Sequence, residues 1–329
     1  MTLNIAFRPR GQLYSILNKL NVLISLKKVW QFIKFGHFIS FINLRLFWYK
    51  SKRIQVTLTY RKMSSTAASR NKRVLVIVTN EAFIPSNRER QQQEDYKFLE
   101  AANVEPNVAN KNYTGVDVYE LAHIWQALRH QMNCSVDFAS PRGGPTAADP
   151  LSVEKMRKDE KLREKVNNDR ELIDAMGHTY PIEWIKPEDY NCVVIPGCRG
   201  AMFDLPENRQ LERIIQQIYE KEKGLVCTIG HGAAALINVK KPNSNEFLVK
   251  NRKLTCFSDR EEKEMHMDRI LPFMIEDRLK ERGARLEIVE PNKSKVVVDE
   301  RLITAQNSQS IKEFVQQISE NLKESKLLN

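Results

Sequence analysis

One stretch of the chain has the pattern of a turn where enzymes place a nucleophile. The residues from Gly224 to Leu236 (GLVCTIGHGAAAL) combine a short apolar run, a glycine-containing turn and three helix-forming alanines. This order predicts a buried strand at 225–229 that ends in a sharp turn and enters a helix. A nucleophile at such a turn lies beside backbone amides that can stabilise an oxyanion. The apex residue, Gly230, has no side chain, so this turn carries no nucleophile of its own.

Two of the five cysteines could supply a thiol near that turn. Cys227 falls inside the predicted strand, where a small buried core residue is expected. Cys198 lies in a loop that should run beside the turn, and Arg199 with a helix start could lower the pKa of its thiol. Cys198 is therefore the better substitute nucleophile, and a loop cysteine without chemistry is the alternative.

The spacing of the cysteines and histidines indicates no metal or cofactor site. The cysteine number is odd and the spacing is not that of a zinc site, so reduced thiols are the simplest interpretation. Four histidines likewise lack metal-ligand spacing: His123, His130, His178 and His266.

The strands and helices that hold the candidate site residues can be predicted from the pattern of apolar residues. Apolar runs at four places predict buried strands: 73–79, 134–139, 192–195 and 225–229. Later and weaker runs predict further strands at 253–257, 285–289, 295–299 and 301–304. Amphipathic periodicity predicts helices near 118–128, 211–218, 270–282 and 311–322.

This alternation predicts an α/β fold, with a doubly wound, flavodoxin-like, mainly parallel sheet sandwiched by helices. We expect one domain over residues 73–325, with a charged surface segment at 151–180. A polar insertion at 81–113 is longer than an ordinary βα loop. It predicts a lid, a partner-binding insertion or a disordered segment.

The basic charge of the chain is confined to its first segment. Residues 1–62 contain twelve Lys and Arg and no Asp or Glu, whereas the remainder holds 40 basic and 41 acidic residues. The body therefore gives no reason to expect nucleic acid. The apolar part of the leader is interrupted by charges and predicts no transmembrane segment. Residues 1–72 are interpreted as a basic leader: a disordered or gene-model extension, or alternatively a mitochondrial presequence.

Five segments of the domain resemble the ThiJ/PfpI superfamily, which shares the class 1 glutamine amidotransferase fold. They span nearly all of 73–325 in the right order: TGVDVYELA (114–122), VDFASPRGG (136–144), IPGCRGAMFDLP (195–206), IGHGAAAL (229–236) and LITAQN (302–307). The similarity is greatest to the branch that contains glyoxalase III enzymes and stress chaperones.

The resemblance implies a catalytic site whose nucleophile is missing. In that branch the turn reads Cys-His-Gly with a nucleophilic cysteine, and here the position is Gly230, followed by His231 and Gly232. The carboxylate partner of the histidine corresponds to Glu262, and the acid that bonds the thiolate corresponds to Glu120. The family's Gly-Gly-His-Gly pocket loop corresponds to Gly197, Cys198, Arg199 and Gly200, with two residues changed.

Each of these residues also has a purely structural interpretation. His231 could cap or pack against the helix start. Glu120 could be a partly exposed helix carboxylate, or, if buried without a thiolate, be protonated or bonded elsewhere. Glu262 lies in a charged run, so a solvated surface role competes with an orienting one.

Three functions follow from the resemblance. The first is a catalytically inactive binding or scaffold subunit, because the Gly-His-Gly turn is similar to the glutamine amidotransferase-like class 1 domain-containing proteins. That similarity implies an endosomal, Rab-effector-type assembly in the cytoplasm. The second is a glyoxalase III or deglycase enzyme that acts on methylglyoxal-like aldehydes through Cys198 or an activated water. The third is a holdase chaperone, and a homo-oligomer is expected in each case.

Overall fold

A computed structural model describes residues 2–6, 39–48, 53–62, 72–84, 113–222, 224–268 and 270–324. The chain divides into two units, Met1–Arg70 and Asn71–Asn329. The first unit contains three antiparallel strands in the order β1-β3-β2: β1 (Thr2–Ala6), β2 (Ile39–Trp48) and β3 (Arg53–Lys62). These strands lie where the composition suggested a disordered extension, and a targeting role for the leader stays a prediction.

The second unit is built on a seven-stranded sheet. Its strands are β4 (Arg73–Ile77), β5 (Ser135–Ser140), β6 (Tyr180–Pro181), β7 (Cys192–Ile195), β8 (Leu225–Ile229), β11 (Val296–Asp299) and β12 (Leu302–Ala305). The spatial order is β11-β12-β8-β7-β4-β5-β6, and only the β11–β12 pair is antiparallel. β7 and β8 are buried along their whole length because helices cover both faces, as their continuous apolar runs require. The doubly wound, mainly parallel fold is therefore confirmed.

Helices pack on both faces of this sheet. They are α1 (Val118–Trp125), α2 (Pro150–Lys158), α3 (Glu160–Asn167), α4 (Arg170–Gly177), α5 (Ala201–Asp204), α6 (Arg209–Glu220), α7 (Asp259–Glu264), α8 (Ile275–Glu281) and α9 (Ile311–Glu324). The apolar residues of α6 and α8 join one core cluster, whereas those of α1, α3 and α9 join the cluster on the opposite face. A π-helical segment, Gln126–Gln131, continues α1.

The sequence predictions differ from the structure mainly between β8 and β11. The expected strands at 253–257 and 285–289 are reduced to β9 (Lys253–Leu254) and β10 (Arg285–Leu286), which form a separate parallel pair. The chain leaves β9 toward the turn after β8, where Phe257 N donates to Gly230 O at 3.4 Å. The helix expected from 270 begins at Ile275 because Pro272 disfavours helical backbone before it.

The insertion predicted at 81–113 lies mostly outside the described residues, since 85–112 are not among them. Its two ends meet at an isolated antiparallel bridge between Phe83 and Tyr113. The role of the insertion stays a prediction.

The turn after β8 depends on a glycine two residues beyond its apex. A Cβ at Gly232 would lie 2.3 Å from the carbonyl oxygen of Ile195 and 2.8 Å from that of Pro196. We expect Gly232→Ala to reduce the free energy of unfolding by about 3 kcal/mol, since backbone must move to admit the methyl group. Urea unfolding measures this change. Gly177→Ala is the matched control, because no atom lies within 4 Å of its added Cβ; its stability should stay within about 1 kcal/mol.

Candidate active site

A cavity of about 450 Å³ lies at the carboxyl ends of the central strands. This edge is where doubly wound sheets bind ligands. The loop after β7, the turn after β8, the start of α1 and the loop after β12 all reach it. Its lining residues are Asp117, Glu120, Asp149, Leu151, Ser152, Lys155, Gly197, Cys198, Arg199, Gly230, His231, Phe257, Glu261, Glu264, Met265, Asn292, Asn307, Ser308 and Gln309.

Gly230 occupies the apex of the turn between β8 and a 3₁₀ helix that spans Gly230–Leu236. Its φ is +55°, a left-handed backbone conformation that favours glycine. A Cβ built on Gly230 would have its nearest neighbours at 3.8 Å (Gln306 O) and 3.9 Å (Gly197 Cα). The apex therefore has room for a side chain although the sequence supplies none.

Glu120 projects from the first turn of α1 into the buried floor of this cavity. Its Oε2 accepts from Gly197 N at 2.8 Å, and its Oε1 accepts from Ser308 Oγ at 2.7 Å. Burial, followed by the nearby charge of Asp117, raises the pKa of Glu120 to about 8. The carboxyl group is therefore mainly protonated at neutral pH, which fits the expectation for a buried acid without a thiolate.

Asp117 is the N-cap of α1 and lies beside Glu120. Its Oδ1 accepts from Glu120 N at 2.8 Å, and its Oδ2 is 3.4 Å from Ser308 Oγ. Burial raises the pKa of Asp117 to about 6, and the bond from Glu120 N opposes this shift. Both acids therefore have pKa values in the physiological pH range, above those of ordinary carboxylates.

These raised pKa values predict that stability falls as pH rises. The folded state keeps its proton on Glu120 up to about pH 8, whereas the unfolded chain releases it near its ordinary value of 4.5. Between these values the folded state binds more protons, so the free energy of unfolding should fall, by at most about 1.4 kcal/mol per pH unit from this group. Glu120→Gln should flatten the dependence of the free energy of unfolding on pH, which urea unfolding measures between about pH 4.5 and pH 8. An unchanged slope in the variant would contradict the assignment.

His231 and Glu262 form a buried pair on the other wall. His231 Nε2 lies 2.7 Å from Glu262 Oε1, and the imidazole stacks on Phe257 with ring centroids 4.4 Å apart. Glu262 is 3% exposed, so the solvated surface role is wrong and the orienting role fits the geometry. Ser258 caps α7 and thereby fixes the turn that carries Glu262.

Cys198 lies in the cavity wall as expected, but its electrostatics differ from the expectation. The side chain is buried, and burial, followed by the charge of Asp149, raises the pKa of its thiol. The prediction that Arg199 would lower this pKa is wrong, because the Arg199 guanidinium pairs with Asp149 at 3.3 Å. Cys227 is fully buried inside β8, which confirms its core role.

The pocket loop brings four of the predicted residues together. Gly197 donates its N–H to Glu120, and Gly200 N donates to Thr114 Oγ1 at 3.0 Å. Arg199 is buried, and its Nη1 lies 3.4 Å from Met267 Sδ, a weak acceptor.

Sequence reasoning missed several cavity residues. Asp117 and Asp149 are N-caps, and each precedes a helical pattern, so a capping signal could have found them. Ser308 follows the LITAQN segment directly, and only the topology brings it to Glu120. Glu261 neighbours Glu262 in the charged run but faces an independent set of donors.

Two features are absent from the described residues: a metal-binding cluster and a membrane-spanning helix. No cluster of three or more His, Cys, Asp or Glu side chains there could hold a metal ion. No helix among those residues is long and apolar enough to cross a membrane.

The chain is similar in sequence to known proteins of two kinds. Glutamine amidotransferase-like class 1 domain-containing protein 1 of Xenopus laevis is 35% identical over 137 residues, which cover 42% of this chain and 59% of that protein. Glyoxalase 3 of Candida albicans is 27% identical over 208 residues, covering 60% of this chain and 85% of that protein. The chain thus spans about three fifths of the first of these relatives.

Solved structures show the same fold. The Rapid Encystment Protein 24 kDa of Francisella tularensis matches with a TM-score of 0.64 and 28% identity, covering 76% of this chain and 99% of that one. Candida albicans glyoxalase III matches with a TM-score of 0.61 at 24% identity, covering 76% and 97% of the two chains. The family model described as the DJ-1/PfpI family matches residues 111–321, and the chain therefore belongs to the DJ-1/PfpI family.

Proposed function

We propose that this protein is a binding or scaffold subunit that has lost the thiol chemistry of glyoxalase III enzymes. The observation that carries the proposal is the apex of the turn, where Gly230 supplies no attacking side chain to the cavity. Loss of a nucleophile typically removes several orders of magnitude of rate. Without a thiol at the apex, the remaining acid and base groups of the cavity can still shape it and bind a ligand.

The other thiols do not replace the missing one. Cys198 is buried with a raised thiol pKa, so little thiolate is available at neutral pH. Cys227 is enclosed within the sheet. The cavity instead offers a small polar ligand a set of hydrogen-bonding side chains, among them Asn307, Ser308 and Arg199.

Lactate production from methylglyoxal by the purified full chain tests this proposal. We expect no turnover above buffer, and Cys198→Ala should change nothing. Turnover that Cys198→Ala abolishes would overturn the proposal. Calorimetric titration with lactate, with Arg199→Gln as the comparison, tests whether the cavity still binds a small oxygen-bearing ligand.

The second candidate is an enzyme that uses an activated water. Two observations favour it: the relatives named as glyoxalases, including Glutathione-independent glyoxalase hsp3102 of Schizosaccharomyces pombe, and the intact His231–Glu262 pair at 2.7 Å. In this case turnover should survive Cys198→Ala and be lost in His231→Ala. This combination of results distinguishes an enzyme that uses an activated water from a catalytically inactive protein and from an enzyme that uses the Cys198 thiol.

The cellular location and the self-association of the protein are also part of the proposal. Membership of an endosomal assembly in the cytoplasm, and self-association, come from the resemblance to the glutamine amidotransferase-like class 1 domain-containing proteins. Light scattering of the purified chain tests self-association, and microscopy of the tagged full chain separates endosomal from mitochondrial location. Suppression of thermal aggregation of a client protein tests the holdase alternative.

A further inference from the structure

The hydroxyl group of Ser308 is hydrogen-bonded to the carboxyl group of Glu120, the acid that corresponds to the one that bonds the thiolate in related enzymes. Ser308 lines the cavity and is half-buried, so its Oγ is within reach of a ligand. That Oγ donates to Glu120 Oε1 at 2.7 Å and lies 3.4 Å from Asp117 Oδ2. Serine, glutamate and aspartate thus form a connected set inside a cavity of about 450 Å³. A nucleophile in hydrogen-bond reach of a base, with a third group beside the base, is the geometry of an activated hydroxyl.

The topology also places Ser308 where a nucleophile is usually found. β12 ends at Ala305, and Ser308 begins a short 3₁₀ turn, Ser308–Ser310, that leads directly into α9. β12 is parallel to β8 and adjacent to it, so this strand–turn–helix opens on the same edge as the turn at Gly230. The turn after β12 thus lies beside the turn at Gly230, and it carries a hydroxyl where the apex of the other has no side chain.

We propose that Ser308 is a nucleophile toward small acyl donors, with Glu120 as its general base and Asp117 positioning the hydroxyl. This activity goes beyond the binding role proposed above, because it uses neither a thiol nor an aldehyde. Ser308 Oγ forms a bond to the acyl carbon while its proton passes to Glu120 Oε1 and the carbonyl π pair moves to oxygen. Collapse restores the carbonyl and expels the alkoxide, which takes the proton from Glu120 and leaves as the alcohol. Water then attacks the acyl carbon as Glu120 removes its proton, and that proton passes to Ser308 Oγ as the bond from Oγ to the acyl carbon breaks and the acid leaves.

The surroundings of Glu120 determine the pH at which its carboxylate can accept the proton of Ser308. Burial, followed by the charge of Asp117, raises the pKa of Glu120 to about 8, while the bonds from Ser308 and Gly197 and the charge of Lys155 oppose the rise. Above about pH 8 Glu120 is ionised, and a base of that strength accepts the proton of a hydroxyl better than an ordinary carboxylate does. The other charged or titratable side chains that line the cavity are Asp149, Cys198, Arg199, His231, Glu261 and Glu264. Lys155, which also lines the cavity, supplies positive charge for the anionic intermediate.

Labelling of the full chain with a fluorophosphonate reagent, followed by peptide mass mapping, tests the proposal. The phosphorus–oxygen bond to Ser308 forms as fluoride leaves and the proton passes to Glu120. We expect labelling at Ser308 to rise as pH climbs through about 8 and then to level off. Ser308→Ala should abolish it, and Glu120→Gln should slow it about a hundredfold and remove the pH dependence.

Ser294 provides the matched control. It is an exposed serine whose Oγ also donates to a glutamate, Glu313 Oε2, at 2.9 Å, but it lies outside the cavity lining. Ser294→Ala should be labelled at Ser308 at the wild-type rate. Absence of labelling in the wild type, labelling at another residue, or a rate independent of Glu120 would each overturn the proposal. Mapping of the wild-type adduct decides the question even if Ser308→Ala folds poorly, and a p-nitrophenyl acetate burst that follows the same pH profile would support it.

Discussion

Gly230→Cys is expected to give a protein that converts methylglyoxal to lactate at least about 10³-fold faster than the wild type. The substitution places a thiol at the apex of the turn, in a cavity lined by Glu120 and by His231, whose Nε2 lies 2.7 Å from Glu262 Oε1. In the wild type the turn supplies no thiol for these acid–base groups to act on, so a single sulfur should have a large effect. The measurement is lactate formation by the purified variant.

The apex can accept this side chain at a modest cost in stability. The nearest atoms to the added Cβ are at 3.8 and 3.9 Å, which is ordinary van der Waals contact. The φ of +55° is the main penalty, at about 1–3 kcal/mol for a residue other than glycine. A folded variant with a strained turn is therefore the expected product, and strained turns of this kind are common at nucleophiles.

Gly230→Ala separates the thiol from the methylene group that carries it. Alanine has the same Cβ and the same backbone strain but no sulfur, so it should lose comparable stability and gain no turnover. A folded Gly230→Cys protein as inactive as Gly230→Ala would show that the remaining groups are not a catalytic framework. In that case Ser308, which already bonds Glu120 Oε1 at 2.7 Å, is the first residue to replace by alanine in the double variant.

The sequence was sufficient to predict the central sheet because its strands are buried on both faces. β7 and β8 are continuous apolar runs, and such runs are hard to place anywhere else in a fold of this size. The turn at Gly230 could also be predicted, since a glycine-containing break between a strand and three alanines has few other solutions.

Side-chain pairings could not be predicted by the same means. Glu262 lies in a run of charged residues that is typical of a solvated helix, yet Ser258 caps that helix in the core and Glu262 is buried. Whether a charged residue faces solvent depends on how α7 packs, which periodicity does not record for a six-residue helix. The bond between Ser308 and Glu120 joins residues 188 positions apart, so only the completed topology reveals it.

The electrostatics of Cys198 show the same dependence on tertiary structure. Sequence adjacency to Arg199 suggested an activated thiol, but the guanidinium is engaged by Asp149, which lies 50 positions earlier. Burial raises the pKa of the Cys198 thiol, and Asp149, the carboxylate that neutralises the arginine, adds to this rise. A neighbour in sequence is therefore weaker evidence for a pKa than the charge nearest in space.

Glu261→Gln is expected to lower the free energy of unfolding by about 3–5 kcal/mol, because Glu261 is a buried acceptor for five donors. Its Oε2 accepts from Ser258 N at 3.1 Å, Ser258 Oγ at 2.7 Å and Gln306 Nε2 at 3.0 Å. Its Oε1 accepts from Asn307 Nδ2 at 2.7 Å and Asn292 N at 3.3 Å. One carboxylate thus joins α7 to the loops before β11 and after β12.

Glutamine has nearly the same shape, so the change tests the acceptors rather than the packing. Whichever oxygen is replaced, an amide NH₂ faces at least two donors that then have no partner, and the charge that strengthens the other bonds is lost. A loss of this size should lower the melting temperature by roughly 10 °C for a domain of this length. Thermal unfolding followed by circular dichroism measures it directly.

Glu264→Gln is the matched control on the same helix. Glu264 is exposed and pairs only loosely with Arg260 at 3.4 Å, so its loss should change stability by about 0.5 kcal/mol or less. Equal effects of the two substitutions would refute the acceptor role of Glu261. A selective loss in Glu261→Gln would show that the wall carrying Asn307 and Ser308 is held in place by this buried carboxylate, and fluorophosphonate labelling of the variant should then slow as well.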